Sequence, residues 1–312
     1  MRYVLGRLGS TIPTLLLIAL ASFVLVRVIP GDPVHVMFGD IPNPEAAQQM
    51  RERLGLDKPL IVQAQIYLRD LIKGEIGVSI RTRRPVLAEI GTVFPYTLAL
   101  AVAASILSVL IAVPVGVYAA LRRGRFGDML TMALAVLGRA MPNFWLGILL
   151  LLVFSLGLGW FPAIGSGDWS DPGSVLQALV LPAIALAVAE AAFLARITRS
   201  GLLDVLPEDY ILTARAKGLG RSAVLYGHAL RNALIPLVTV VGLSFGRLVT
   251  GAVVVEVVFS RPGLGTLLVS AIDNRDYALI QGAILVFAVL LVVTNLLTDF
   301  AYGFIDPRIR RG

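Results

Sequence analysis

Four ionisable side chains stand inside otherwise apolar stretches of this chain: Arg139, Glu190, Arg247 and Glu256. A charge in such surroundings is costly, and its default reading is functional. Guanidiniums donate and carboxylates accept, so the set offers both signs of charge along a hydrated path. The alternative is that the charges pair internally and fix helix register. Arg247, in the middle of its run, is the best candidate for facing a path. Glu256 and Arg27 stand near the outer ends of their runs and are expected to contact headgroups or the external loop, residues 31–95. Other chemistries lack their residues. A phosphate-binding loop needs Gly-Lys-Ser/Thr, and the three lysines, Lys58, Lys73 and Lys217, never follow a glycine. There are no cysteines, and His35 and His228 are far apart, which argues against a thiolate or imidazole metal centre. A serine or metal hydrolase would need a positioned base or ligands, and neither histidine is placed for that.

A second informative stretch is Asp204–Gly220, DVLPEDYILTARAKGLG. It reads as a short, well-terminated, water-facing helix. Pro207 suits a first helical position. Glu208 and Asp209 complement the positive N-terminal dipole. Lys217 falls in the last turn, and Gly218 can take the left-handed cap. Ala214 and Ala216 leave little bulk, so a partner could approach the backbone; Thr213, Ala214 and Lys217 share a face with Tyr210. A second short helix is expected over Ser222–Leu230. Bilayer insertion has no need of such a segment, which points to docking in the cytoplasm.

The elements that position these residues follow from composition. The chain has 312 residues, 57% hydrophobic and 15% charged, with mean hydropathy +0.84. Soluble domains carry roughly 25% charged residues. Six runs approach the ~20 apolar residues that a spanning helix requires: Gly9–Ile29, Tyr96–Leu121, Met129–Trp160, Leu176–Ala195, Pro236–Phe259 and Leu279–Tyr302. The first is too long for a signal-peptide core and reads as an uncleaved helix. The formal charge of +7 does not indicate nucleic acid, because basic residues cluster at the ends of apolar runs. Arg122, Arg123 and Arg125, the basic residues between runs four and five, and Arg308, Arg310 and Arg311 face one side. The loop Phe161–Val175, with Asp168 and Asp171 and no Lys or Arg, faces the other. The positive-inside rule then places both termini in the cytoplasm. Gly31–Pro95 is long enough to escape that rule and reads as an external subdomain, with helices expected over Glu45–Leu54 and Val62–Lys73. Pro13, Pro114, Pro142, Pro182 and Pro236 fall in or at the ends of spans, where membrane helices tolerate them. Trp160, Phe161 and Trp169 fit an interfacial aromatic belt; Trp145 is the remaining tryptophan.

The stretch around Thr213-Ala214-Arg215-Ala216-Lys217-Gly218 resembles the cytoplasmic coupling loop of ABC importer permeases, in which an acid-Ala-Ala pattern precedes a glycine. Thr213 stands at the acid's position and Arg215 at the second alanine's, as in the peptide-importing branch. Ile29-Pro30-Gly31-Asp32-Pro33, Leu54-Gly55-Leu56-Asp57-Lys58-Pro59-Leu60, Gly74-Glu75-Ile76-Gly77-Val78-Ser79, Val255–Gly265 and Asp306-Pro307-Arg308-Ile309-Arg310 are similar to further family stretches, in order along the chain. Glu75 and Ile76 depart mildly from the usual Gly-Asp-Leu-Gly.

The resemblance implies an all-α membrane protein of six spans, the type I ABC importer permease fold, with an external loop subdomain after the first helix. It divides the chain into residues 1–30, an external loop 31–95, a core 96–303 with coupling loop 198–235, and a cytoplasmic tail 304–312. It implies a non-catalytic subunit of a bacterial inner-membrane importer for di- or oligopeptides, with glutathione or nickel as alternative substrates. Docking to the ATPase would involve Pro207, Glu208, Tyr210, Thr213, Ala214, Arg215, Ala216, Lys217, Gly218 and Leu219. The implied partners are a second homologous permease, two ATPase subunits that hold ATP and Mg, and an external binding protein. Substrate selection would rest mainly on that binding protein. A peptide carries an ammonium and a carboxylate, which suits a path with both signs. The rival reading, an ion-coupled secondary transporter, requires inverted repeats and interrupted helices; no such repeat is visible.

Overall fold

The computed structural model describes residues 2–28, 44–53 and 55–305. His35, the 29–33 motif, Leu54 and the 306–311 tail residues read above lie outside them. Apart from one isolated bridge between Val78 and Pro85, the regular structure among the described residues is helical. In chain order the helices are α1 Arg2–Val28, α2 Pro44–Arg53, α3 Leu60–Ile72, α4 Val86–Leu121, α5 Phe126–Ala140, α6 Asn143–Leu150 continued as wider π-helical turns Leu151–Gly157, and α7 Pro172–Val205. Then come α8 Asp209–Ala216, a π-helical segment Ala223–Ala229, α9 Leu230–Ala233, α10 Ile235–Val258, α11 Leu264–Asp273 and α12 Tyr277–Ile305.

Five helices, α1, α4, α7, α10 and α12, are each long and apolar enough to cross a membrane. The third expected span is not one helix: α5 and α6 with its extension qualify only as a pair bent by 99°. The cause is local. Pro142 biases its predecessor away from helical torsions, and Met141 is extended at φ −74° and ψ 127°. Its N–H still donates to the Leu137 carbonyl at 3.1 Å, which closes α5. By contrast, Pro182 sits inside α7 without ending it. At 1.5 Å per residue, the 36 residues of α4 and 34 of α7 make rods of about 54 and 51 Å. Both outrun the ~30 Å hydrocarbon layer: α4 begins before its apolar run, and α7 extends past its run at both ends.

The chain divides into two compact units. One holds the described residues of Met1–Tyr96 with Pro262–Val292. Its apolar cluster joins Val26, Val86, Ile90, Leu264, Ala271, Leu279 and Ile280. Here α3 lies on α1: the Phe23 and Tyr67 rings are 5.7 Å apart, and Arg27 Nε donates to Gln63 Oε1 at 3.0 Å. The expected contact of Arg27 with the 31–95 segment is therefore present. The segment after α3 is fastened by a buried pair, in which Ser79 Oγ donates to Asp276 Oδ2 at 2.5 Å. The other oxygen of Asp276 accepts the Leu279 N–H at 3.2 Å and caps α12.

The second unit, Thr97–Arg261 with Val293–Gly312, is built around α7. That helix buries a face rich in alanine, including Ala183, Ala187, Ala191 and Ala195. Small residues let backbones approach where lipid offers no hydrophobic drive. Gly116 of α4, Gly138 of α5, Gly147 of α6 and Gly251 of α10 each lie against α7. The tightest is Gly116, where a Cβ would sit 2.6 Å from the Ala195 carbonyl oxygen and 2.6 Å from Thr198 Cβ. A Gly116→Val variant is therefore expected to be destabilised by about 1–3 kcal/mol, the usual range for overpacking. A lowered melting temperature of the purified protein in detergent would show this; an unchanged one would mean the helices separate without cost.

Candidate functional site

The short helix anticipated after Asp204 starts later than expected. Glu208 is extended at φ −65° and ψ 144° and caps α8. Its carbonyl accepts the N–H groups of Ile211 and Leu212 at 2.9 and 3.2 Å. Pro207 thus sits in the turn leaving α7, outside the first helical turn of α8. The far end agrees with expectation: Lys217 is the C-cap, and Gly218 has φ +82°, a conformation that costs other residues roughly 1–2 kcal/mol.

Burial divides the helix into two faces. Ile211 and Ala214 are buried with Val117 and Ala120 of α4, Leu202 of α7, and Val224, Ala229 and Ala233. The small side chain of Ala214 therefore serves packing within the chain, and the expectation that it presents an outward surface is corrected. Tyr210, Leu212, Thr213, Arg215, Ala216, Lys217, Gly218 and Leu219 are exposed. Leu212 was not singled out in the sequence, yet it is half exposed beside Tyr210 and Leu219. A leucine next to the Thr213-Ala214 pair was the available signal. Tyr210 Oη accepts from Asn232 Nδ2 at 2.8 Å, which joins α8 to α9.

A contact that sequence reading missed braces this end of the unit. Arg199 of α7 donates through Nε and Nη2 to the two oxygens of Asp128 on α5, both at 2.7 Å. Asp128 Oδ2 also accepts the Gly124 N–H at 3.0 Å, which holds the basic turn. The paired geometry is the strong form of the interaction. The only signal was one acid three residues after Arg122-Arg123-Gly124-Arg125. The ends of α4, α5, α7 and α8 thus form one braced block.

Within the spans, three of the four charges meet. Arg247 Nη2 of α10 donates to Glu190 Oε1 of α7 at 3.3 Å and to Ser244 Oγ at 2.7 Å. Phe193, one turn beyond Glu190, has the Arg139 guanidinium 4.5 Å from its ring centre and that of Arg247 at 5.6 Å. The Arg247 side chain is 55% exposed, whereas that of Glu190 is 9% exposed. Glu256 stands apart, about 13 Å along α10 at helical rise. It is fully buried and accepts from Thr97 Oγ at 2.5 Å. Its full burial corrects the expectation that it meets headgroups.

The described residues thus form a multi-span helical unit with a short helix, α8, braced against the ends of α4 and α7. Residues 112–311 match the family described as "Binding-protein-dependent transport system inner membrane component", and residues 1–101 match its N-terminal companion. The chain belongs to this family: it is a multi-pass inner-membrane permease subunit of a binding-protein-dependent ABC importer, non-catalytic itself, with ATP bound by ATPase partners. It is 44% identical over 310 residues to the glutathione transport system permease protein GsiC of Salmonella typhimurium, with 99% of each chain covered. It is 43% identical over 330 residues to the di/tripeptide transport system permease protein DppB of Pseudomonas aeruginosa, covering 99% of this chain and 98% of that one. The fold is similar to that of the MetNI methionine ABC transporter solved in inward facing conformations, with TM-score 0.57 and 22% identity over 70% of this chain and 96% of that chain.

Neutralising Asp128 should loosen the braced block. Asp128→Asn is expected to lower the melting temperature in detergent, and the exchanged pair Asp128→Arg with Arg199→Asp should restore most of the loss. Equal losses in the single and exchanged variants would show that the pair itself contributes nothing.

Proposed function

We propose that this permease forms half of the translocation pathway of an importer for di- and oligopeptides, with glutathione as the alternative substrate. The observation that carries the reading is full-length similarity to permeases named for glutathione and for di- and tripeptides. The charged cluster of Arg139, Glu190 and Arg247 supports it, since a zwitterionic peptide meets both signs there. Glu256, buried beside Thr97, is left out of the path.

In this reading a second homologous permease completes the pathway, two ATPase subunits bind on the cytoplasmic side, and an external protein delivers substrate near residues 31–95. Both termini lie in the cytoplasm, a placement supported by the basic turn at Arg122, Arg123 and Arg125 and the acidic, Lys- and Arg-free loop holding Asp168 and Asp171. The exposed face of residues 207–219 docks to an ATPase. ATPase closure pushes α8, and the apolar cluster with the Asp128–Arg199 pair passes the push to α4, α5 and α7. Access then alternates between two packed states.

The chain, pulled down from its native membranes in mild detergent, should bring a second permease and ATPases with it. Their ATP hydrolysis should rise with binding protein loaded with dipeptide or glutathione. Recovery alone, with uptake persisting without ATP, would end the importer reading. Gly218→Asp, where a Cβ meets no atom within 4 Å but the positive φ adds local strain at the helix end, should leave the complex assembled yet cut substrate moved per ATP. An unchanged ratio would remove the segment's coupling role.

A further inference from the structure

We propose that Arg139, Phe193 and Arg247 form a transient carboxylate subsite that favours peptides with more carboxylates than ammonium groups. The inference rests on the peptide reading above and adds to it a charge class of substrate.

The argument begins with unspent hydrogen-bonding capacity. A guanidinium carries five N–H donors. The side-chain bonds of Arg247 run only through Nη2, to Glu190 and Ser244, so Nε and Nη1 are free among the described residues. Arg139 is exposed and has no carboxylate within ion-pair distance among the described residues; its contact is the Phe193 ring. Aromatic faces hold guanidiniums at a modest gain and leave their edges open. One ring therefore presents two forked donors, the geometry that suits a carboxylate.

Charge balance sets the preference. Two guanidiniums stand against one carboxylate, and that carboxylate is the buried partner while Arg247 faces outward. Arg139 lies in the last turn of α5, where the helix end contributes only about half a negative charge. An excess of positive charge remains in a span, where an unmatched charge is costly. A passing solute supplies the missing anion and then leaves, as transport requires. A second carboxylate, from an acidic side chain or a γ-glutamyl group, increases the match. A lysyl side chain decreases it. The bend at Met141–Pro142 is what places Arg139 at a helix end beside α7.

The test uses the complete importer with its binding protein in lipid vesicles, and reads maximal uptake per loaded binding protein. The probes are alanyl-aspartate, glutathione, alanyl-alanine and alanyl-lysine. Arg139→Gln should lower uptake of alanyl-aspartate and glutathione about tenfold, the scale of one charge-assisted contact. Alanyl-alanine should change less than about twofold on the same scale, and alanyl-lysine should not fall. The double variant Glu190→Gln with Arg247→Gln removes the ion pair without stranding a carboxylate and should give the same ordering. Equal losses for all four peptides, or none, would overturn the subsite while leaving peptide import standing. Failure of the unaltered complex to import any of them would overturn both.

Discussion

In hydrocarbon no water can satisfy a backbone N–H or C=O, so every such group must find a partner within the protein. The architecture follows from that constraint. Long helices satisfy it within themselves, and they can meet closely only where side chains are small, which is why glycines of α4, α5, α6 and α10 gather on the alanine face of α7. The constraint also explains what an interruption means. Pro142 has no N–H to satisfy, and Met141 returns its own to Leu137, so two of the backbone donors at the 99° turn need no outside partner.

The same constraint sorts the ionisable groups. Asp128 and Arg199 share two short bonds, and the acid is nearly sealed from solvent. Glu256 is wholly enclosed with Thr97 beside it. Arg247 makes a single longer contact to Glu190 and keeps much of its surface open. Closed pairs hold helices in register, whereas an open pair retains donors for something that comes and goes.

Much of the fold was legible because hydrophobic length is a strong local signal. The spans around α4, α7, α10 and α12 were found, and only their ends moved, since a helix continues past the oily layer while its composition changes. Helices α2 and α3 emerged within a few residues of expectation, from Pro and Gly punctuation at Pro44, Pro59 and Gly74. The break in the third span was not legible: Pro142 and Pro182 look alike in sequence, and the neighbouring helices decide which one bends the chain. The candidate site divides in the same way. Gly218 announced its left-handed cap, because that requirement is local. The inward turn of Ala214, the Asp128–Arg199 pair and the meeting of Arg139 with Phe193 depend on residues 54 to 97 positions apart in the case of Phe193 and Val117, or on partners across α5 and α7, and no window of sequence contains both halves.

The pairing of Glu190 with Arg247 also has a history within each newly made molecule. The acid precedes its partner by 57 residues, so at synthesis rates of roughly 5–20 residues per second it waits some 3–11 seconds for the guanidinium to emerge. Throughout that interval α7 must settle in the bilayer carrying a charge that costs about 3 kcal/mol at mid-helix. Its long run of leucine, alanine and valine must offset that cost alone, so the composition of α7 answers to biogenesis as well as to the finished fold.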